Sequence, residues 1–136
     1  MDPSLLDTDI LSEFLKERNA AVAANALAYL QQHGQFTISA MTRFEIRRGY
    51  LEKKASRRIA RFDVFCGHSI VLPITDSIFD RASDLWVQAR QSGHSHGDAD
   101  LLIAATALEH NLILVPGNHE HFDWMPGLKI DDWRAQ

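Results

Sequence analysis

Four short apolar runs punctuate the chain at wide intervals: Ser4-Leu5-Leu6, then residues 35–40 (QFTISA), 69–74 (SIVLPI) and 112–115 (LILV). Each has the length and side-chain character of a strand, and the intervals between them carry helix-forming residues. Strands that alternate with helices give a mostly parallel sheet covered on both faces, so a three-layer α/β/α architecture is expected. Leu128-Lys129-Ile130 is positioned to add a short fifth strand to the four.

The intervening helices are legible from spacing and caps. Ile10, Leu11, Phe14 and Leu15 recur at helical spacing after the first run, and residues 20–32 form an alanine- and leucine-rich helix stopped at His33-Gly34. Between residues 41 and 61 only Gly49 interrupts, which predicts one or two basic helices. Pro73 marks an edge or an end of the third strand. Thr75 supplies an N-cap for a helix with Asp76 and Asp80 near its start and a buried stripe of Ile78, Ala82, Leu85, Trp86 and Ala89. Residues 91–97 (QSGHSHG) read as a loop, and 98–110 as a buried helix that opens on two acids and ends at Asn111.

With 136 residues the chain has the size of one domain, taken as 1–136, and no apolar run approaches the roughly 20 residues needed to span a bilayer. Met1-Asp2-Pro3 places acid where a secretion signal needs base, and Cys66 has no partner for a disulfide, so a cytoplasmic protein is expected. The net charge of −4 argues weakly against a polyanionic partner, but the average hides an asymmetry. Residues 43–61 hold eight bases (Arg43, Arg47, Arg48, Lys53, Lys54, Arg57, Arg58, Arg61) against Glu45 and Glu52, a local +6, while the remainder carries −10. A solvated helical face is the simplest account of such a run. Here it surrounds an acid that belongs to a second pattern.

That second pattern is where the acids fall. In a parallel α/β sheet, ligands bind outside the carboxyl ends of the strands. Asp7 closes the first strand, Glu45 lies about a turn and a half into the helix after the second, Asp98 and Asp100 open the helix before the fourth, and Asn118 follows the fourth. Singly, each acid could be a cap or a surface residue. Convergent carboxylates would repel one another, and a hard divalent cation with oxygen ligands is the usual resolution. Such an ion suits phosphodiester hydrolysis, and the bases around Glu45 would hold the polyanion that the acids repel.

Three motifs in this order, L-D-T-D at 6–9, S-A-M-T-R-F-E-I-R-R-G at 39–49 and D-A-D-L-L-I-A-A-T-A-L at 98–108, resemble the PIN-domain family and most closely its VapC-type toxins. The closing F-D-W-M-P-G-L-K-I-D-D-W at 122–133 extends the resemblance over nearly the whole chain. It implies a Rossmann-like parallel sheet, Mg²⁺- or Mn²⁺-dependent endoribonuclease activity on RNA, a homodimer and inhibition by a VapB-type antitoxin. Asp7, Glu45 and Asp100 match the family's catalytic and metal-binding acids, and Asp98 matches a position that often carries polar residues. Asn118 stands at the fourth acidic position, within V-P-G-N-H-E-H-F where relatives resemble V-T-x-N/D-T; it lacks the charge and implies a weak second metal. Thr8, Arg43, Arg47, Arg48, Lys54 and Arg57 are the candidates for substrate or antitoxin contact.

Several residues admit other readings. The Thr8 hydroxyl orients Asp7 or a metal-bound water, or it caps a helix; Ser39 and Thr42 read as caps of the basic helix. Trp86, Trp124 and Trp133 are apolar enough for packing and flat enough to stack on bases. His94-x-His96 and His119-x-His121 invite a zinc reading, but no third and fourth ligand stands at matching spacing, and solvated loop histidines are the simpler account. Asp7-Thr8-Asp9 after a strand mimics the haloacid dehalogenase nucleophile pair, yet Leu11 occupies the position where that motif needs threonine. A PIN domain that binds RNA or antitoxin without cleaving is the non-enzymatic alternative.

Overall fold

The computed structural model describes residues 1–94 and 96–135. Among them are four strands, β1 (Ser4–Leu6), β2 (Thr37–Ser39), β3 (Ile70–Leu72) and β4 (Ile113–Val115). Six α-helices join them: α1 (Thr8–Leu15), α2 (Ala20–His33), α3 (Ala40–Glu52), α4 (Ser56–Gly67), α5 (Asp76–Gln91) and α6 (Asp98–Glu109). The sheet order is β3-β2-β1-β4 and every pairing is parallel. The chain thus builds outward from β1 to β3 on one side, then returns through α5 and α6 to place β4 on the other. Such a reversal of strand order opens a crevice at the carboxyl ends of the two strands that flank it, here β1 and β4.

Alternation along each strand divides the core into two layers. Leu6, Ile38 and Val115 face a cluster completed by Ile10, Leu11, Val22, Tyr29, Phe36, Phe62 and Trp133. Leu5 and Leu114 face the opposite cluster, with Ile78, Leu85, Leu101, Ile103 and Phe122. Both sheet faces are covered, as the uninterrupted apolar runs require.

Local details depart from the sequence expectations for physical reasons. The third-residue end of β2 comes early because Ser39 is already the cap of α3, its Oγ accepting from Met41 N–H at 3.0 Å. The basic segment divides at Lys53–Ala55 rather than at Gly49, with Lys54 in the left-handed region at φ 55°. The fifth strand reduces to a single parallel bridge between Leu114 and Ile130. It enters just past Gly127, at φ 76°, and leaves at Asp131, whose N–H donates to Leu114 O at 3.0 Å, so only one residue comes into register. Trp86 is not in the buried stripe of α5. It is 45% exposed beneath the Arg90 guanidinium, because Ile78, Ala82, Leu85 and Ala89 already complete the inward face.

Candidate active site

Asp7 lies where the strand reversal opens the sheet. Its backbone N–H still pairs with Val115 O at 3.1 Å, while its side chain has become the N-cap of α1, Oδ1 accepting from Ile10 N–H at 2.8 Å. The other oxygen, Oδ2, accepts from Gly117 N–H at 2.9 Å. The residue is only 4% exposed. Burial pushes its carboxyl up to about 7; the two N–H donors hold it back, and the charges of Asp9 and Asp100 push further up.

Gly117 is required by a close approach. A Cβ there would stand 2.4 Å from the Asp9 Cβ and 3.4 Å from Ile10 N, so any side chain would press the β4 loop away from α1. The Arg134 guanidinium holds the same loop, its Nη2 3.5 Å from where that Cβ would stand. It donates to Gly117 O and to Glu13, the latter through Nε at 2.7 Å.

Glu45 reaches this rim from α3. Thr8 Oγ1 donates to Glu45 Oε1 at 2.7 Å and lies 3.1 Å from Thr42 Oγ1. The Thr8 hydroxyl therefore orients Glu45, not Asp7, and the cap assigned to it belongs to Asp7. Thr42, wholly buried, backs this link instead of capping α3. The second oxygen of Glu45 faces Arg48 Nη2 at 3.7 Å.

Asp100 completes the group from the first turn of α6. Its carboxyl is raised by burial, held back by His121, and raised by Asp9. Asp9 thus acts on both Asp7 and Asp100, a membership the sequence analysis did not assign. Its signal was only its place two residues beyond Asp7, in the first turn of α1.

The remaining candidates are placed differently. Asp98 lines an apolar groove of about 360 Å³ between α5 and α6, beside Phe79, Trp86 and Leu101. Asn118 Oδ1 accepts from Glu120 N–H at 3.1 Å and caps the short 3₁₀ turn His119–His121. Leu11 is wholly buried in the core and offers no polar group to the rim, where the haloacid dehalogenase motif needs a threonine hydroxyl.

The basic run divides its work. Arg47 pairs with Asp63 at 3.4 Å, tying α3 to α4, and Arg48 lies 4.9 Å over the Phe44 ring as well as near Glu45. Arg43, Lys54 and Arg57 are exposed. Arg58 and Arg61 line a cleft of about 410 Å³ together with Tyr50 and Phe62. Lys16 and Arg18, from the turn after α1, enter the same cleft and were not singled out from the sequence.

Beside Asp100 the histidines converge. His121 Nδ1 lies 3.3 Å from Asp100 Oδ2, and Trp124 Nε1 donates both to His96 Nε2 at 2.8 Å and to His121 O at 2.9 Å. Trp124 is thus packed on histidine, its ring stacking 4.7 Å from His94 and 5.3 Å from His96.

The arrangement is a set of hard oxygen donors on the rim of a parallel sheet. Asp7 is buried and Glu45 and Asp100 are half-buried beside it; a buried carboxylate with further acids on the same rim is costly without a cation, so the donor set suits a divalent ion of the Mg²⁺ class.

A PIN domain sequence profile matches residues 4–126. Ribonuclease VapC1 of Methanocaldococcus jannaschii is 30% identical over 135 residues, covering 94% of this chain and 86% of that protein. Ribonuclease VapC19 of Mycobacterium tuberculosis is 31% identical over 126 residues, covering 92% of this chain and 96% of that one. Among solved structures, DNA-bound VapBC from Salmonella typhimurium superposes with a TM-score of 0.86 at 23% identity, over 98% of this chain and 99% of that chain. At that identity the likeness is one of fold.

Proposed function

The chain belongs to the PIN domain family, and from that membership we propose that it is a VapC-type toxin, a divalent-metal-dependent endoribonuclease restrained by a VapB-type antitoxin. The observation that carries this reading is the convergence on one rim of Asp7 and Asp100, both of which feel the charge of Asp9, with Glu45 tethered to the same rim through Thr8. The names of the relatives, ribonucleases and a toxin–antitoxin complex, support it.

Asp7, Glu45 and Asp100 would hold the ion, with Asp9 adding negative charge to the same field. Bound there, Mg²⁺ or Mn²⁺ supplies an acidified water and neutralises charge developing on the phosphate. The protein's own residues do the rest. Asp7 must lose its proton before it can act as a ligand, Thr8 holds Glu45 in one rotamer, and Gly117 and Ile10 N–H groups hold Asp7 in another. Arg48, Arg58, Arg61, Lys16 and Arg18 offer phosphate contacts that position RNA without reading its sequence. The exposed side chains Phe79, Trp86 and Val87 along the α5–α6 groove suit a homodimer contact, since large apolar patches on a monomer mark interaction sites. No helix among the described residues is long and apolar enough to cross a membrane, and a cytoplasmic site of action is part of the proposal.

The test is cleavage of RNA by purified protein in Mg²⁺, Mn²⁺ or EDTA, alongside Asp7→Asn, Glu45→Gln and Asp100→Asn variants with native circular dichroism. Metal-dependent cleavage lost in each variant is the expected outcome. Cleavage that persists in EDTA, or in all three variants, would remove the site; a metal-loaded wild type that binds RNA but never cuts it would establish the non-cleaving alternative.

A further inference from the structure

The histidines that looked like unrelated loop residues meet an acid that the nuclease pocket also uses. One ligand atom each from His96, Asp100 and His121 lies within 4.8 Å of the others. His96 and Asp100 lie on the lead-in and first turn of α6, and His121 comes from the turn after β4, so two stretches distant in sequence deliver the cluster. We propose that His96, Asp100 and His121 form a binding site for a borderline transition-metal ion such as Zn²⁺, distinct from the acidic pocket but sharing Asp100 with it.

The geometry suits such an ion. Ligands at about 2.0–2.1 Å from a tetrahedral zinc lie roughly 3.3 Å apart. His121 Nδ1 and Asp100 Oδ2 are already 3.3 Å apart. Bringing in the third ligand from within 4.8 Å asks only for side-chain rotation, and His96 and His121 already present their rings with centroids 5.7 Å apart. Trp124 is the fixing element. Its indole N–H is shared between His96 Nε2 and the His121 carbonyl, so one rigid ring spans both histidine-bearing loops. The indole thereby braces the two loops in the metal-free protein, and an ion that takes the His96 Nε2 lone pair displaces it from that nitrogen. When a metal engages His96, the indole keeps the His121 carbonyl as its acceptor.

The donor chemistry also separates this site from its neighbour. Two imidazoles with one carboxylate favour Zn²⁺, Co²⁺ or Ni²⁺, whereas an all-oxygen pocket favours Mg²⁺. Three protein ligands leave a coordination position open. Because Asp100 serves both sites, loading the histidine site draws its charge away from the acidic pocket. Transition metal therefore antagonises Mg²⁺-supported cleavage, a consequence that rests on the nuclease reading, whereas the binding itself does not.

The experiment is a Co²⁺ and Zn²⁺ titration of tag-free full-length protein in excess Mg²⁺, followed by the visible absorption of bound Co²⁺ and by calorimetry. One equivalent is expected to bind wild type, with affinity at least tenfold weaker in His96→Ala and in His121→Ala, and retained in Asp7→Asn and Glu45→Gln. His121 is exposed and His96 only half-buried on a loop, so their loss is not expected to unfold the chain, and His121→Gln provides a milder second variant. Equal binding by wild type and the histidine variants, or binding lost in Asp7→Asn, would overturn the proposal, the latter by placing the ion in the acidic pocket. If binding behaves as expected and Mg²⁺ never supports cleavage, the histidine site stands and the nuclease reading falls.

Discussion

The N–H of Gly117 donates to Oδ2 of Asp7 at 2.9 Å, joining residues 110 positions apart at the point where β1 and β4 end. This bond explains why the loop after β4 contains a glycine: its N–H reaches the buried carboxylate only if the backbone passes against Asp9 and the start of α1. Replacing Gly117 by alanine puts a methyl group 2.4 Å from the Asp9 Cβ, so the loop must retreat. Overpacking of this kind costs about 1–3 kcal/mol. The expected result for Gly117→Ala is a lowered denaturation midpoint together with weakened Mg²⁺ binding, and wild-type values for both would contradict the contact.

Thr8→Val should separate orientation from packing. The substitution keeps the shape and removes the donor to Glu45 Oε1, and loss of a bond that orients a ligand costs about 10–100-fold in metal affinity or activity. Thr8→Ser retains the hydroxyl and should restore most of the rate. Equal rates for the valine and serine variants would assign Thr8 to packing alone.

Asp7 makes the metal-free protein pH-sensitive in a defined direction. Its proton affinity is higher folded than unfolded, so its stabilising contribution is complete below the unfolded value of 3.8 and is lost as pH rises through about 7. The slope is about 1.4 kcal/mol per pH unit across that window. Urea denaturation in EDTA should therefore show wild type weakening between pH 5 and pH 8, and Asp7→Asn should flatten that dependence. Mg²⁺ affinity should rise over the same interval, since the ligand form is the ionised one. A wild type whose stability rises from pH 5 to 8 as steeply as that of Asp7→Asn would show that the carboxyl is not perturbed.

Asp9 and Asp98 flank the two motifs symmetrically in sequence but not in space. Asp9 acts on both Asp7 and Asp100, whereas Asp98 lines the α5–α6 groove. Removing a carboxylate from the field of a divalent ion should cost about a factor of ten, an energy of roughly 1.4 kcal/mol. Asp9→Asn is expected to lower Mg²⁺ affinity by that order, and Asp98→Asn to stay within about twofold of wild type. The reverse ranking would move the pocket toward α6.

Legibility tracked how local each determinant is. The four strands and most of the helix stripes were readable because apolar periodicity is a property of neighbouring residues, and the position of Asp7 at the carboxyl end of β1 followed from sheet topology, whereas a metal role for Asp7, Glu45 and Asp100 belongs to the proposal. Thr8 was ambiguous because its partner, Glu45, sits 37 residues away and the choice between cap and cross-link is made by packing. The fifth strand shrank to one bridge because only Leu114 of β4 pairs with it, through Lys129 O and the Asp131 N–H. The two His-x-His pairs were visible in the sequence, but the meeting of His96 with His121 was not, since packing brings the pairs together and the acid between them comes from a helix start.

Mg²⁺ dependence of thermal stability at pH 8 tests the central claim most directly, because this ion disfavours imidazole and reports on the oxygen pocket alone. A saturable rise in Tm is expected for the wild type, absent in Asp7→Asn and reduced in Glu45→Gln and Asp100→Asn. The same rise in all four proteins would contradict the account, for it would mean that these carboxylates do not hold the ion.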